Sequence, residues 1–487
     1  MSKRLSRLIG RDLAVDPEIT GVTADSREVR PGFLFAALPG SRADGRGFIA
    51  GAIEAGAAAV LAPDDVTGLA VPTVHAGDLR RAYALAASAF WDAQPPVCVA
   101  VTGTNGKTSV AAFCRQIFAR LGRQAASMGT LGVRVSAPGA ADIQITPPGL
   151  TTPDAADVAE LLARLAGQGV THLALEASSH GVDQRRLDGV RLTAAGFLNL
   201  TQDHLDYHGT MGVYRAAKLR LFEALLPRGA TAVLNADSEQ FPAFAAAAWE
   251  AGQTVLSVGE AGEGLRLTAR EPSPRGQRLT IIRDGRRHIV ELPLVGAFQA
   301  ANALVAAGLC IAAGEAVEAV LSALEHIEGA PGRLQRVGAG PRGGAAYVDY
   351  AHTPDGLETV LGALRPHTDG RLIVVFGCGG DRDRGKRPQM GEIAIRLADL
   401  AIVTDDNPRT EDPASIRAQI LAGAPGAREI GDRREAIRAA AALLRDGDVL
   451  VVAGKGHEQG QIVGGVTHPF DDLTETMAAL GLETADV

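Results

Sequence analysis

Basic charge is in short supply, with 48 lysines and arginines against 56 aspartates and glutamates, a formal net charge of -8 and a pI near 5.8. Nucleic acid and anionic membrane surfaces need a basic face, so both are excluded as principal partners, although local basic pockets are not. No apolar run is long enough to span a bilayer, so no membrane insertion is expected. The stretch MSKRLSRLIGRDLAVDPEIT has basic residues but neither an apolar core nor a small-residue cleavage site, and no secretory leader is expected. Cysteine is scarce: Cys98, Cys114, Cys310 and Cys378 lie far apart without a CxxC pair. That spacing excludes a disulfide framework and a zinc knuckle and points to the reducing cytoplasm.

What the 487 residues do contain is 46% hydrophobic and 21% charged side chains, with 4% aromatics, arranged as short Val/Ile/Leu runs between alanine-rich helical stretches. This is the composition of an α/β chain, and the length suggests about three domains. Gln94-Pro95-Pro96 interrupts the chain before the apolar run Val97 to Val101, and Gly329-Ala330-Pro331-Gly332 forms a second break. The expected domains are therefore 1–94, 95–330 and 331–487. In the last, AAYVDY, RLIVVFG, LAIVTDD and DVLVVAG are short buried-strand runs, each followed by a Gly-, Pro- or Asp-rich loop. They predict a doubly wound, Rossmann-like parallel sheet with ligands beyond the carboxyl ends of its strands.

Gly103-Thr104-Asn105-Gly106-Lys107-Thr108 follows the strand VCVAVT and opens the helix SVAAFCRQIFARLG. In that context glycines let backbone N–H groups converge on phosphate at a helix N-terminus, Lys107 reaches the outer phosphates and the Thr108 hydroxyl coordinates Mg²⁺. The loop departs from the usual GxxxxGK[ST], because Val101 stands where the first glycine is expected. THLALEASSHG predicts a strand ending in Glu176, a candidate Mg²⁺ ligand, and NLTQDHLDYHGTMGVYRAAKLRLF places His204 in a loop and Lys218 on a helix.

GTNGKT after an apolar strand resembles the Mur ligase family, the ATP-dependent amide-forming enzymes of peptidoglycan precursor synthesis, and the related folylpolyglutamate synthetases. The family also carries the DHxD loop followed by YxxAK, here His204 and Lys218, and its lysine is typically carbamylated by CO₂. The resemblance therefore implies ATP and Mg²⁺, with Thr108 and Glu176 holding one cation and His204 and carbamylated Lys218 a second. Lys107, His204 and Lys218 become the catalytic group, and Gln299, Asn302, Arg333 and Asp349 match the family's ATP contacts. Domain closure would complete the site.

TADSREVRPGFLFAALPGSRADGRGF looks like the nucleotide-sugar end of the family's tripeptide ligases, with Ser26, Ser41, Arg42, Ala43 and Asp44 approaching UDP. Thr151, Thr152, Ser178, Gln184 and Arg186 match residues that hold the muramoyl dipeptide. LAIVTDDNPRTEDP supplies Asp406, Asn407, Pro408 and Arg409, and this DNPR form resembles the members that add meso-diaminopimelate. Lysine-adding relatives usually lack that arginine. Proline is expected to hold Asn407 extended and aim Arg409 across the strand ends. Arg382, Gly454 and Glu458 match the remaining diaminopimelate contacts, and lysine would leave Arg409 buried without its anionic partner. The implied activity is that of an acid–amino-acid ligase of cell-wall synthesis, cytoplasmic and monomeric, acting on a UDP-muramoyl dipeptide, ATP and diaminopimelate. Its nearest alternative is the same reaction with L-lysine. A nucleotide-driven switch would instead turn over ATP without forming an amide.

Overall fold

In a computed structural model, residues 1–40 and 44–482 are described. The chain forms two compact units, one of residues 1–264 with 305–320, the other of residues 265–304 with 321–487. Residues 1–94 and the phosphate loop fall in the same unit.

The first unit opens on four parallel strands in chain order, Gly21–Thr23, Phe33–Ala36, Ala59–Ala62 and Thr73–His75. Helix Leu79–Trp91 packs its Tyr83, Ala86 and Phe90 against the same core. Asp78 caps it by accepting from the Arg81 amide, and Asp92 ends it in the left-handed conformation. Three side-chain contacts tie this portion to the residues that follow: Tyr83 donates to Asp154 at 2.6 Å, Ser88 to the Gly189 carbonyl at 2.8 Å, and Arg185 to Asp78 at 2.9 Å.

The second sheet of this unit has a parallel centre, ordered Ala125–Gly129, His172–Glu176, Val97–Thr102, Ala194–Phe197, Thr231–Asn235 and Thr254–Gly259. Val97–Thr102, earliest in the chain, lies in the middle, with later strands added on either side. Its carboxyl end is thus the topological switch point at which open α/β sheets leave a crevice. Pairing puts Val101 opposite Glu176 and Thr102 opposite Phe197.

The second unit contains the antiparallel meander Leu265–Ser273, Gly276–Arg283 and Arg286–Leu292. It also contains a sheet ordered Gln335–Gly340, Gly343–Asp349, Val449–Ala453, Leu372–Phe376, Leu400–Val403 and Arg428–Glu429. All four predicted strand runs of this region are present, and they pair in parallel. Both faces are buried, which is why the strands are almost wholly apolar. The strand of this sheet that comes last in the chain, Val449–Ala453, lies between Gly343–Asp349 and Leu372–Phe376, so the loops after all of these strands open at one end. No helix among the described residues is long and apolar enough to cross a membrane.

Candidate active site

The predicted strand and helix around the phosphate loop form as Val97–Thr102 and Lys107–Arg120. Gly106 caps the helix at φ +91°, a conformation that strains any side chain. Gly103 lies so close to the next strand that a Cβ there would sit 2.9 Å from Leu198 Cβ. The loop is pinned from outside: Thr104 donates to the Thr201 carbonyl at 3.1 Å and the Asn105 amide donates to Asn199 at 2.9 Å. Lys107 Nζ folds back onto the carbonyls of Gly103 and Thr104 at 2.8 and 2.9 Å.

Glu176, buried at its strand end, is the hub. Its Oε2 accepts from the Thr108 hydroxyl at 3.0 Å and its Oε1 from the Thr130 amide at 2.9 Å. A side chain at position 129 would displace the Glu176 carboxylate, because a Cβ there would clash with Oε1. The network continues outward. Thr130 and Thr151 hydroxyls are 3.0 Å apart, and Thr152 donates to the Glu176 carbonyl at 3.0 Å with the Ser178 hydroxyl 2.9 Å away. Arg186 donates to the Thr152 carbonyl at 2.6 Å and to Gln184 at 2.7 Å. The five residues expected to hold the dipeptide are thus one hydrogen-bonded group joined to the phosphate loop. Sequence reasoning missed Thr130, which stands in an unremarkable GTLG turn.

Lys218 lies on helix Met211–Arg220, 1% exposed, and donates to the Gly103 carbonyl at 2.8 Å. Burial, followed by the charge of Lys107, drives its pKa well below that of an ordinary lysine. Tyr214 lies beneath it, 4.6 Å from ring centroid to Nζ, and the His204 ring is 6.2 Å from the same tyrosine. His204 is exposed, in a left-handed conformation at φ +51°.

Ser26 lines a cavity of about 1110 Å³ with Arg27, Arg30, Phe33, Phe48 and Tyr83. Asp44 is exposed and accepts from the Arg46 amide at 3.0 Å. Ser41, Arg42 and Ala43 lie outside the described residues.

In the second unit, Asn302 donates to Gln299 at 3.0 Å and Gln299 to the Arg333 carbonyl at 3.3 Å, so these expected ATP contacts cluster. Asp349 accepts from the amides of Leu334 and Ala351 at 2.6 and 2.7 Å. Its pKa is nevertheless raised, because burial outweighs Arg333 and those amides. Arg333 stacks on Tyr350 at 4.6 Å, and His457 covers the same ring at 5.2 Å. Burial, with Arg333 second, lowers the pKa of His457 to about 4.

The DNPR turn follows strand Leu400–Val403. Contacts from a distant hairpin fix the backbone of Arg409. Arg409 itself is left-handed at φ +53° and clamped by the hairpin Gly460–Val463 and Val466–Pro469: its amide donates to the Ile462 carbonyl at 2.9 Å, and its carbonyl accepts from Gly464 at 2.7 Å. Its guanidinium donates to the Gly380 carbonyl at 2.8 Å and is half-buried rather than buried. A Cβ at Gly379 would lie 2.7 Å from Arg409 Nη1 and 3.9 Å from Arg382 Cγ, so both arginines border this glycine, Arg382 being exposed. Asn407 donates to Glu458 at 2.9 Å. Asp406 Oδ2 is buried with no hydrogen-bond partner among the described residues, facing Gly454, where a Cβ would lie 2.6 Å away.

Phosphate loop, acidic strand end and arginine-bearing turn therefore occur in the order the resemblance implied, and comparison decides the family. Residues 101–310 match the Mur ligase middle domain, 332–456 the Mur ligase glutamate ligase domain, and 18–88 the Mur ligase family catalytic domain. The chain belongs to the Mur ligase family. It is 72% identical over 481 residues to the UDP-N-acetylmuramoyl-L-alanyl-D-glutamate--2,6-diaminopimelate ligase of Caulobacter vibrioides, covering 99% of each chain. The Brucella melitensis protein of the same name is 55% identical over 470 residues, 96% of this chain and 95% of that one. A solved structure of a ligase so named superimposes with a TM-score of 0.76 at 34% identity, covering 99% of both chains. MurF of Thermotoga maritima in complex with ADP shares the fold alone, at 17% identity, a TM-score of 0.61 and 94% and 96% coverage.

Proposed function

We propose that this Mur ligase joins meso-2,6-diaminopimelate to the D-glutamyl residue of UDP-N-acetylmuramoyl-L-alanyl-D-glutamate at the expense of ATP, in peptidoglycan precursor synthesis. The observation that carries the reading is the position of Glu176, hydrogen-bonded on one side to Thr108 of the phosphate loop and, through its own carbonyl, to Thr152 of the dipeptide group. Relatives that bear this activity in their names support the choice of amino acid.

The γ-carboxylate of the dipeptide attacks the γ-phosphorus, ADP leaves and an acyl phosphate forms. The amine of diaminopimelate then attacks the acyl carbon, expelling phosphate and losing a proton. Both first-step reactants are anionic, so the residues act by positioning and charge compensation. Gly103 to Thr108 and Lys107 hold the phosphates, while Arg186, Gln184, Ser178, Thr151 and Thr152 orient the carboxylate. Ser26 and Asp44 belong to the UDP end. In the second unit Asn302, Arg333 and Asp349 are assigned to ATP, and Arg382, Asp406, Asn407, Pro408, Arg409, Gly454 and Glu458 to diaminopimelate.

Thr108 and Glu176 offer two hard oxygens 3.0 Å apart, a donor set that suits Mg²⁺ shared with substrate phosphates. When bound, the cation neutralises charge on those phosphates. Carbamylation of Lys218 requires a neutral amine, which its buried setting favours. The domains are assigned as 1–94, 95–330 and 331–487. The four cysteines are buried and free, which supports the assignment to the reducing cytoplasm; the enzyme is assigned as a monomer.

The reading is tested by phosphate release and product mass with ATP, Mg²⁺ and the UDP-muramoyl dipeptide, comparing meso-diaminopimelate, L-lysine and no amino acid. Tripeptide formed only with diaminopimelate is expected. Preference for lysine overturns the assigned amino acid, and phosphate release without amide overturns ligation.

A further inference from the structure

Lys455 ends the apolar strand Val449–Ala453 in the turn AGKGHE, where a lysine would ordinarily point to solvent. It is 0% exposed. Its Nζ donates to Asn407 Oδ1 at 2.9 Å and to Glu458 Oε2 at 3.4 Å. The same Asn407 Oδ1 accepts from the Ile462 amide at 3.0 Å, and Asn407 Nδ2 donates to the same Glu458 oxygen. Lysine, asparagine and glutamate therefore close a three-membered ring of contacts between two loops. The turn that carries Lys455 is itself fixed, because a Cβ at Gly456 would lie 2.7 Å from Tyr350 Cβ and one at Gly332 would lie 2.4 Å from the His457 amide.

Burying an ammonium is costly, and a buried ion is weak support for a stability role. What this one does is join the amide of the DNPR turn to the carboxylate of the GKGHE turn. We propose that Lys455 is a positioning residue for amino-acid recognition: it holds Asn407 and Glu458 as one preassembled surface beside Arg409 and supplies the positive charge that keeps the Glu458 carboxylate turned inward. This rests on the assignment of that surface to the incoming amino acid. Lys455 itself does not touch the amino acid. Its loss should leave Asn407 and Glu458 free to adopt other rotamers, so that binding must order them again.

The test is steady-state kinetics of the full-length enzyme, with each of the three substrates varied in turn, alongside thermal melting. Lys455→Met, which keeps the buried chain length, should raise the KM for the amino acid roughly tenfold, as loss of a charge-assisted hydrogen bond does. The KM values for ATP and the UDP-muramoyl dipeptide should stay within about twofold of the unaltered enzyme's. Lys455→Gln, which keeps a donor toward Asn407, should recover part of the loss, and it carries the test alone if the methionine variant does not fold. An unchanged KM for the amino acid in a folded variant overturns the proposal, as does an equal rise in all three. The series uses whichever amino acid the unaltered enzyme ligates. Failure of diaminopimelate as substrate thus rejects the function proposed above, while Lys455 is judged on the same KM split.

Discussion

In the first unit the Thr108 hydroxyl meets Glu176 because a contiguous six-residue motif, Gly103 to Thr108, follows one strand and a carboxylate ends its neighbour. In the second unit Asn407, Lys455 and Glu458 meet only because loops 48 residues or more apart fold onto each other. The same architecture, a parallel sheet with loops at its carboxyl end, thus assembles two kinds of site. Phosphate binding relies on backbone amides and a helix terminus, which a contiguous motif supplies. Recognition of a particular amino acid, the role proposed for the second surface, needs charges at set distances, and here the charged and amide groups come from separate loops that hydrogen-bond to one another.

Breaking the first site should cost most. Lys218→Ala is expected to lower amide formation by about 10²-fold or more, with ATP still bound, as measured by single-turnover product formation at fixed CO₂. A rate near that of the unaltered enzyme would remove Lys218 from the mechanism. The buried amine also carries a pH signature. Its folded pKa is depressed, so between that value and the ordinary lysine range the unfolded chain binds more protons and stability rises with pH. Denaturant titrations from neutral pH upward should show a shallower rise in Lys218→Met than in the unaltered apoenzyme.

Next in size is Arg409→Ala, which sharpens the comparison by acting on one substrate only. Its KM for diaminopimelate should rise by roughly 10- to 100-fold, corresponding to about 1–3 kcal/mol, with little change for ATP. Discrimination against L-lysine should shrink in parallel. Gly379→Ala approaches the same guanidinium by steric means. The added methyl would crowd Arg409 Nη1, and because an arginine tip can swing aside, the rise in KM for diaminopimelate should be smaller, about 3- to 10-fold.

The smallest effect concerns His457. Its pKa is lowered from 6.5 to about 4, so the histidine contributes stability in full above pH 6.5 and loses it as the pH falls toward 4. Melting curves of His457→Gln across that window should lose a pH-dependent component of about 2–4 °C. Identical pH profiles for the two proteins would mean that His457 titrates as it does in the unfolded chain.

The sequence by itself determined the elements and their chemistry wherever a ligand is recognised by backbone. The strand Val97–Thr102, the glycine turn and the helix Lys107–Arg120 are contiguous, and the short apolar runs of the last third, each followed by a Gly-, Pro- or Asp-rich loop, form strands buried on both faces. The DNPR turn was legible as well, but the reason for its geometry was not. The left-handed Arg409 and its clamp by the 460–469 hairpin depend on pairing between distant segments. Thr130 and Lys455 were illegible for a related reason: a threonine in a turn and a lysine between glycines are ordinary surface residues until tertiary packing removes water from around them. Only the folded structure decided that Thr130 completes the shell of Glu176, that Lys218 is buried beside Lys107, and that Lys455 joins two loops, because burial and proximity between remote residues have no local signature in the chain.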